Sequence, residues 1–133
     1  MEESKVEIQD LTDYGDQRGF SFTVPAEALR FLCEIKDIHV AAILPGAVRG
    51  NHFHRKRREI LILTYSSAWS FYWDEGYGTP AQQRRFQGSG AALISIRPGA
   101  SHAVRNDGTG TLSLMAASSE SYDPNDSIVR KVT

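Results

Sequence analysis

Short runs of β-forming residues, cut apart at close intervals by turn signals, leave this chain few ways to fold. The breaks fall at Tyr14 to Gly19, Pro45-Gly46, Gly50-Asn51, Asp74 to Pro80, Gly88 to Gly90, Pro98-Gly99, Asn106 to Gly110 and Asp123 to Asp126. Between them lie Ile38 to Leu44, Ile60 to Tyr65, Ala68 to Trp73, Ala91 to Ile96 and Thr111 to Ala117. Apolar and β-branched runs of this length, bounded by Gly, Pro, Asn and Asp, read as strands of a sandwich or barrel. Only Pro25 to Leu32 has a helical pattern, with proline suited to the first turn. The expected class is all-β with one short helix near the N-terminus.

With 133 residues, 41% of them hydrophobic, the chain can bury about two-thirds of its unfolded surface in one core, so a single domain over residues 1–133 is expected. Fifteen Lys and Arg against sixteen Asp and Glu give a net charge of −1, which argues against a nucleic-acid partner. No apolar run is long enough to cross a bilayer, and Met-Glu-Glu-Ser does not open a secretory signal. With a single cysteine, Cys33, expected to be an inert buried thiol, the expected setting is the cytoplasm, without a membrane partner.

Two strands say more. Alternation puts Trp69, Phe71 and Trp73 on one face and Ala68, Ser70 and Tyr72 on the other. Ile60-Leu61-Ile62-Leu63 is apolar on both faces, so its outer side calls for a cover, either another strand or a second subunit. A homodimer is the economical expectation.

Three of the four histidines fall in two segments, Gly50-Asn51-His52-Phe53-His54 and Pro98-Gly99-Ala100-Ser101-His102. His52 and His54, two apart on an extended stretch, point to one face and allow two ring nitrogens to converge on an ion. Glu59 has an odd offset from them, but the polar Arg55-Lys56-Arg57-Arg58 reads as a solvated turn that resets the alternation. Glu59 then shares a face with Leu61, Leu63 and Tyr65. His102 follows a turn on a later strand that can pass beside the first pair.

This His-x-His-x4-Glu segment, followed by Pro-Gly and His-x3-Asn, resembles the two-part signature of the cupin superfamily, with Ser66 in place of a usual glycine and Pro-Gly in place of Pro-x-Gly. The resemblance implies a double-stranded β-helix, the RmlC-like jelly-roll barrel, and makes His52, His54, Glu59 and His102 the ligands of one divalent transition metal. Three imidazoles and a carboxylate are compatible with Zn, Fe, Mn, Ni or Co.

Asp16-Gln17-Arg18-Gly19-Phe20, Arg49-Gly50-Asn51-His52-Phe53-His54 and Ser121-Tyr122-Asp123-Pro124-Asn125-Asp126 resemble landmarks of cupins that act on nucleotide-activated deoxysugars. These are the epimerases, the ketoisomerases, and the metal-binding C-terminal cupin of capsular-polysaccharide epimerase/reductase proteins. His54 stands where the metal-free epimerases carry Gln, which favours the metal branch. The resemblance implies a nucleotide-sugar epimerase or isomerase of surface-polysaccharide biosynthesis, with His52 as base and Tyr122 as acid. A metal-bound His52 cannot also take a proton. The shuttle then falls to another inward group such as Tyr65, Tyr72, Tyr122 or His39. Arg49, Arg18 and Arg105 suit a diphosphate, and Tyr72 a base or sugar ring. Two other readings stand beside this one: a non-haem metal dioxygenase, and a non-catalytic sugar- or metal-binding cupin. No Gly-x-Gly-x-x-Gly fingerprint occurs, so a reductive step would belong to another protein.

Overall fold

The computed structural model describes residues 3–133. Its elements run β1 (Val6–Asp10), α1 (Ala26–Leu32), β2 (Asp37–Ile43), β3 (Val48–His54), β4 (Glu59–Tyr65), β5 (Trp69–Trp73), β6 (Gln82–Phe86), β7 (Gly90–Ile96), β8 (His102–Asn106), β9 (Leu112–Ser118) and β10 (Ser127–Val129). A single 3-10 turn, Pro124–Asp126, precedes β10. The strands form two five-stranded antiparallel sheets, ordered β1-β7-β4-β9-β2 and β10-β3-β8-β5-β6. This is a jelly roll, as the turn spacing and the motif resemblance lead one to expect. Among the described residues no helix is long and apolar enough to cross a membrane.

The core lies between the sheets and is densest toward β5, β6 and β7. Trp69 and Phe71 are fully buried, as alternation along β5 requires. Trp69 stacks on Phe86 with centroids 4.1 Å apart, and Phe71 on Trp73 at 5.5 Å. Truncating either buried ring to alanine would cost about 3–5 kcal/mol.

The second apolar face of β4 has a cover within the chain. Ile60 is buried with Leu93 and Ala117 under Ala28 and Leu32 of α1, with Leu11, Val24, Phe31 and Ile62 packed around them. The helix does what a second subunit was expected to do there, so the face that motivated a dimer is occupied. Exposed aliphatic side chains lie elsewhere, at Ile38 and Val40 on the edge strand β2. α1 stops at Cys33, whose φ of 67° breaks the helix while its N–H still bonds to the carbonyls of Leu29 and Arg30. Cys33 is exposed, not buried as its apolar neighbours suggest, because it sits past the end of the packed face.

At the other end the interior changes character. Several inward positions of β2 and β9 are small, with Ala41, Ala116 and Ser118, and a cavity of about 550 Å³ opens between the sheets beside them. The same face of β4, β7 and β5 is filled by Leu63, Ile94, Phe71 and Trp69.

Candidate functional site

The cavity takes its geometry from a bulge in β3. Arg49 lies opposite Val104 and Gly50 opposite Ala103, but His52, not Asn51, lies opposite His102. Asn51 is the extra residue, with φ of 59°, a left-handed conformation that Asn accepts more readily than most side chains. On an unbroken strand Arg49 and His52, three apart, would face opposite ways. The bulge brings both into the cavity. At Gly50, with φ of 117°, a Cβ would lie 2.5 Å from the His102 carbonyl oxygen, so the close approach of β3 to β8 requires glycine. Asn51 also holds the C-terminal tail: its Oδ1 accepts from the Val132 N–H at 2.9 Å and its carbonyl from the Arg130 N–H.

Three imidazoles converge at this point. The ring centroids of His52 lie 5.0 Å from those of His54 and of His102, and the last two are 6.0 Å apart. One nitrogen from each ring falls within 4.8 Å of the others. His54 Nδ1 lies 3.1 Å from the Asp126 carbonyl and His102 Nδ1 3.1 Å from the Ala100 carbonyl. A carbonyl only accepts, so each Nδ1 donates and Nε2 is the ring nitrogen left facing inward. Burial, reinforced by the neighbouring rings, pushes the His52 pKa down to about 4, and burial lowers that of His54 as well. Imidazoles whose Nδ1 is taken up by a backbone carbonyl present Nε2 as the donor that a divalent transition ion needs, so these residues fit one.

Glu59 stands beside the three, opposite Ser118 on β9, facing in as the turn reset predicts. Its Oε1 is 3.3 Å from His102 Nε2 and its Oε2 3.8 Å from His54 Nε2. Burial pushes its carboxyl up, but the imidazoles outweigh that and hold it below the usual carboxylate range. The mutually close donor set is His52, His54 and His102, without Glu59. Of the four expected ligands the structure brings the three imidazoles together and sets Glu59 next to two of them.

One residue of the site was hidden in the Arg55-Lys56-Arg57-Arg58 turn. Three of these side chains are exposed, as expected of a solvated loop, but Arg57 is only 8% exposed and lines the cavity. Its guanidinium lies 4.0 Å from Glu59 and 3.8 Å from Asp126, and it donates to the Ser121 carbonyl at 3.4 Å. Nothing in the order of residues singles it out, because Arg57 lies in the turn between β3 and β4, where strand alternation does not apply. Asp126, also buried, accepts from the Arg55 and Lys56 N–H groups and ties this turn to the segment after β9.

The remaining expected residues divide. Arg49 and Tyr122 line the cavity, Tyr122 from an exposed position at its mouth. Arg18, Tyr72 and Arg105 do not. Arg18 is exposed in a tight turn and paired with Asp16. Tyr72 and Arg105 sit on the outward face of β5 and β8, where the guanidinium lies 5.2 Å from the Tyr72 ring and pairs with Asp107. Strand alternation places them there, opposite the face that carries Phe71 and Val104.

Residues 14–128 match the family described as the polysaccharide biosynthesis C-terminal domain. The chain belongs to that family. No curated protein matches it at a significant level. Among solved structures it is similar to QdtA, a sugar 3,4-ketoisomerase from Thermoanaerobacterium thermosaccharolyticum in complex with TDP. The TM-score is 0.71 at 18% identity, over 93% of this chain and 87% of that one. A QdtA variant has been solved with TDP-4-keto-6-deoxyglucose. The Mycobacterium tuberculosis RmlC epimerase aligns with a TM-score of 0.72 at 16% identity, over 92% and 67% of the two chains. CapF, a capsular polysaccharide assembling protein from Staphylococcus aureus, aligns with a TM-score of 0.65 at 21% identity. The match covers 93% of this chain and 33% of CapF. The resemblance to RmlC-like cupins, first visible in the histidine motifs, extends to the whole fold of this family member.

Proposed function

We propose that the chain acts on a nucleotide-activated 4-keto-deoxysugar as an epimerase or isomerase serving surface-polysaccharide synthesis. The observation that carries this reading is the convergence of His52, His54 and His102 in a cavity of about 550 Å³. The fold that holds it is similar to those of a ketoisomerase and an epimerase. Such reactions remove a proton next to a keto group, stabilise the resulting enolate and return the proton.

His52, His54 and His102 hold one divalent transition ion, with Glu59 beside them as a further donor. When bound, such an ion supplies Lewis-acid polarisation of a carbonyl oxygen. Arg49, brought to the same side as the imidazoles by the bulge, offers a planar fork to a diphosphate. Tyr122, at the mouth, presents a hydroxyl to a ligand from the side of the 3-10 turn. Arg57 compensates the charge of Glu59 inside the cavity.

Proton exchange tests the reading. TDP-4-keto-6-deoxyglucose and related nucleoside-diphosphate keto-sugars incubated with the protein in D₂O are expected to gain deuterium at a carbon next to the keto group, read by NMR. No uptake with any of them would overturn it.

A further inference from the structure

An imidazole that gives its lone pair to a cation has none left for a proton. With His52, His54 and His102 committed together, the proposed reaction needs a separate proton carrier. Tyr65 packs on Trp69 and Phe86 and does not line the cavity. Tyr72 faces outward, and Tyr122 stands at the mouth on the loop before the 3-10 turn, not on a strand of the cavity wall. His39, the fourth histidine, lines the cavity from β2.

Its place is defined by the strand register. His39 lies opposite Ala116 of β9, which lies opposite Leu61 of β4. The adjacent inward row is Asp37, Ser118 and Glu59. His39 is therefore on the strand two over from Glu59, about 10 Å away across the sheet at the usual strand spacing. What separates them is Ala116 and Ser118, whose small side chains leave the cavity floor open. The imidazole cluster rises from β3 and β8 in the opposing sheet. A ligand that reaches the cluster thus lies between it and the β2 wall. Asp37, two residues earlier on the same face, sets a carboxylate on the side where an imidazolium would form.

We propose that His39 is the proton carrier of this site, a role distinct from that of the three clustered imidazoles. The inference rests on the sugar-nucleotide reading above. His39 takes the proton from the carbon beside the keto group. The C–H electron pair moves into the new C–C double bond, and the carbonyl pair moves onto oxygen as the enolate. The proton stays on the imidazole until it returns to carbon, so no oxidant or reductant is consumed.

The test compares wild type, His39→Gln and His39→Ala with TDP-4-keto-6-deoxyglucose in D₂O. Elemental analysis and TDP thermal shift serve as controls. His39 is exposed on an edge strand, so both variants are expected to fold, keep their ion and bind TDP as wild type does. Exchange is expected to fall about 10²- to 10⁴-fold in both, with partial recovery of His39→Ala on adding free imidazole. Wild-type exchange rates in His39→Gln would overturn the assignment and leave the sugar-nucleotide reading standing. A slow variant that has also lost its ion or TDP binding would reduce His39 to a structural role and overturn it too. Absence of exchange in the wild type would overturn both.

Discussion

His52 and His102 stand directly opposite each other on β3 and β8, their rings edge to face with centroids 5.0 Å apart. That pairing exists because one residue, Asn51, is squeezed out of the ladder. Without the bulge Asn51 would oppose His102, and His52 would turn out of the cavity.

Gly50→Ala tests the bulge. Its Cβ would meet the His102 carbonyl and strain a φ of 117°, so a loss of about 3 kcal/mol is expected by chemical denaturation. The variant should also lose cation binding. A wild-type midpoint with binding intact would show that β3 and β8 can separate without consequence.

Arg57→Met tests the buried charge beside the cluster. It leaves Glu59 and Asp126, each less than a tenth exposed, without their nearby guanidinium. Breaking such a set is expected to destabilise the fold by about 3 kcal/mol at pH 7, and less at low pH once the Glu59 carboxylate is protonated. An exposed neighbour, Arg55→Met, should change stability by less than about 0.5 kcal/mol.

Much of this arrangement is legible in the amino-acid order. Alternation in Trp69 to Trp73 assigns both faces of β5, and the turn at Arg55 to Arg58 turns Glu59 inward. Other features escape such reading, the short strands β1 and β10 among them. β6 is Gln82 to Phe86, a mostly polar, mostly exposed edge strand with no apolar alternation to betray it. The bulge at Asn51 is a register event, and register depends on β8, far away in the chain. Arg57 resembles its solvated neighbours in type, and only the fold of its turn, held by Asp126, carries its side chain inward. Tyr72 and Arg105 lie on the outward face of their strands and Arg18 in an exposed turn, so neither aromatic character nor a place beside a motif carries them into the cavity.

The C-terminal tail has an acid-sensitive clasp. Burial pushes the Asp74 carboxyl up, but the Arg130 guanidinium and the Ser101 and Gly76 N–H groups outweigh it and hold the pKa below the usual value. A depressed folded-state pKa means a contribution fully present above about pH 4, the unfolded value, and lost as pH falls through the folded one. Thermal melts from pH 7 to pH 3 should show Asp74→Asn less stable than wild type at neutral pH, with the gap narrowing at the acid end. A constant gap would contradict the clasp.

The three-imidazole centre is tested most directly by counting metal. Elemental analysis of the native protein is expected to find close to one divalent transition ion per chain, and His54→Ala, folded by circular dichroism, is expected to carry none. A native protein free of such ions after reconstitution, or a His54→Ala variant that keeps its ion, would contradict the centre described here.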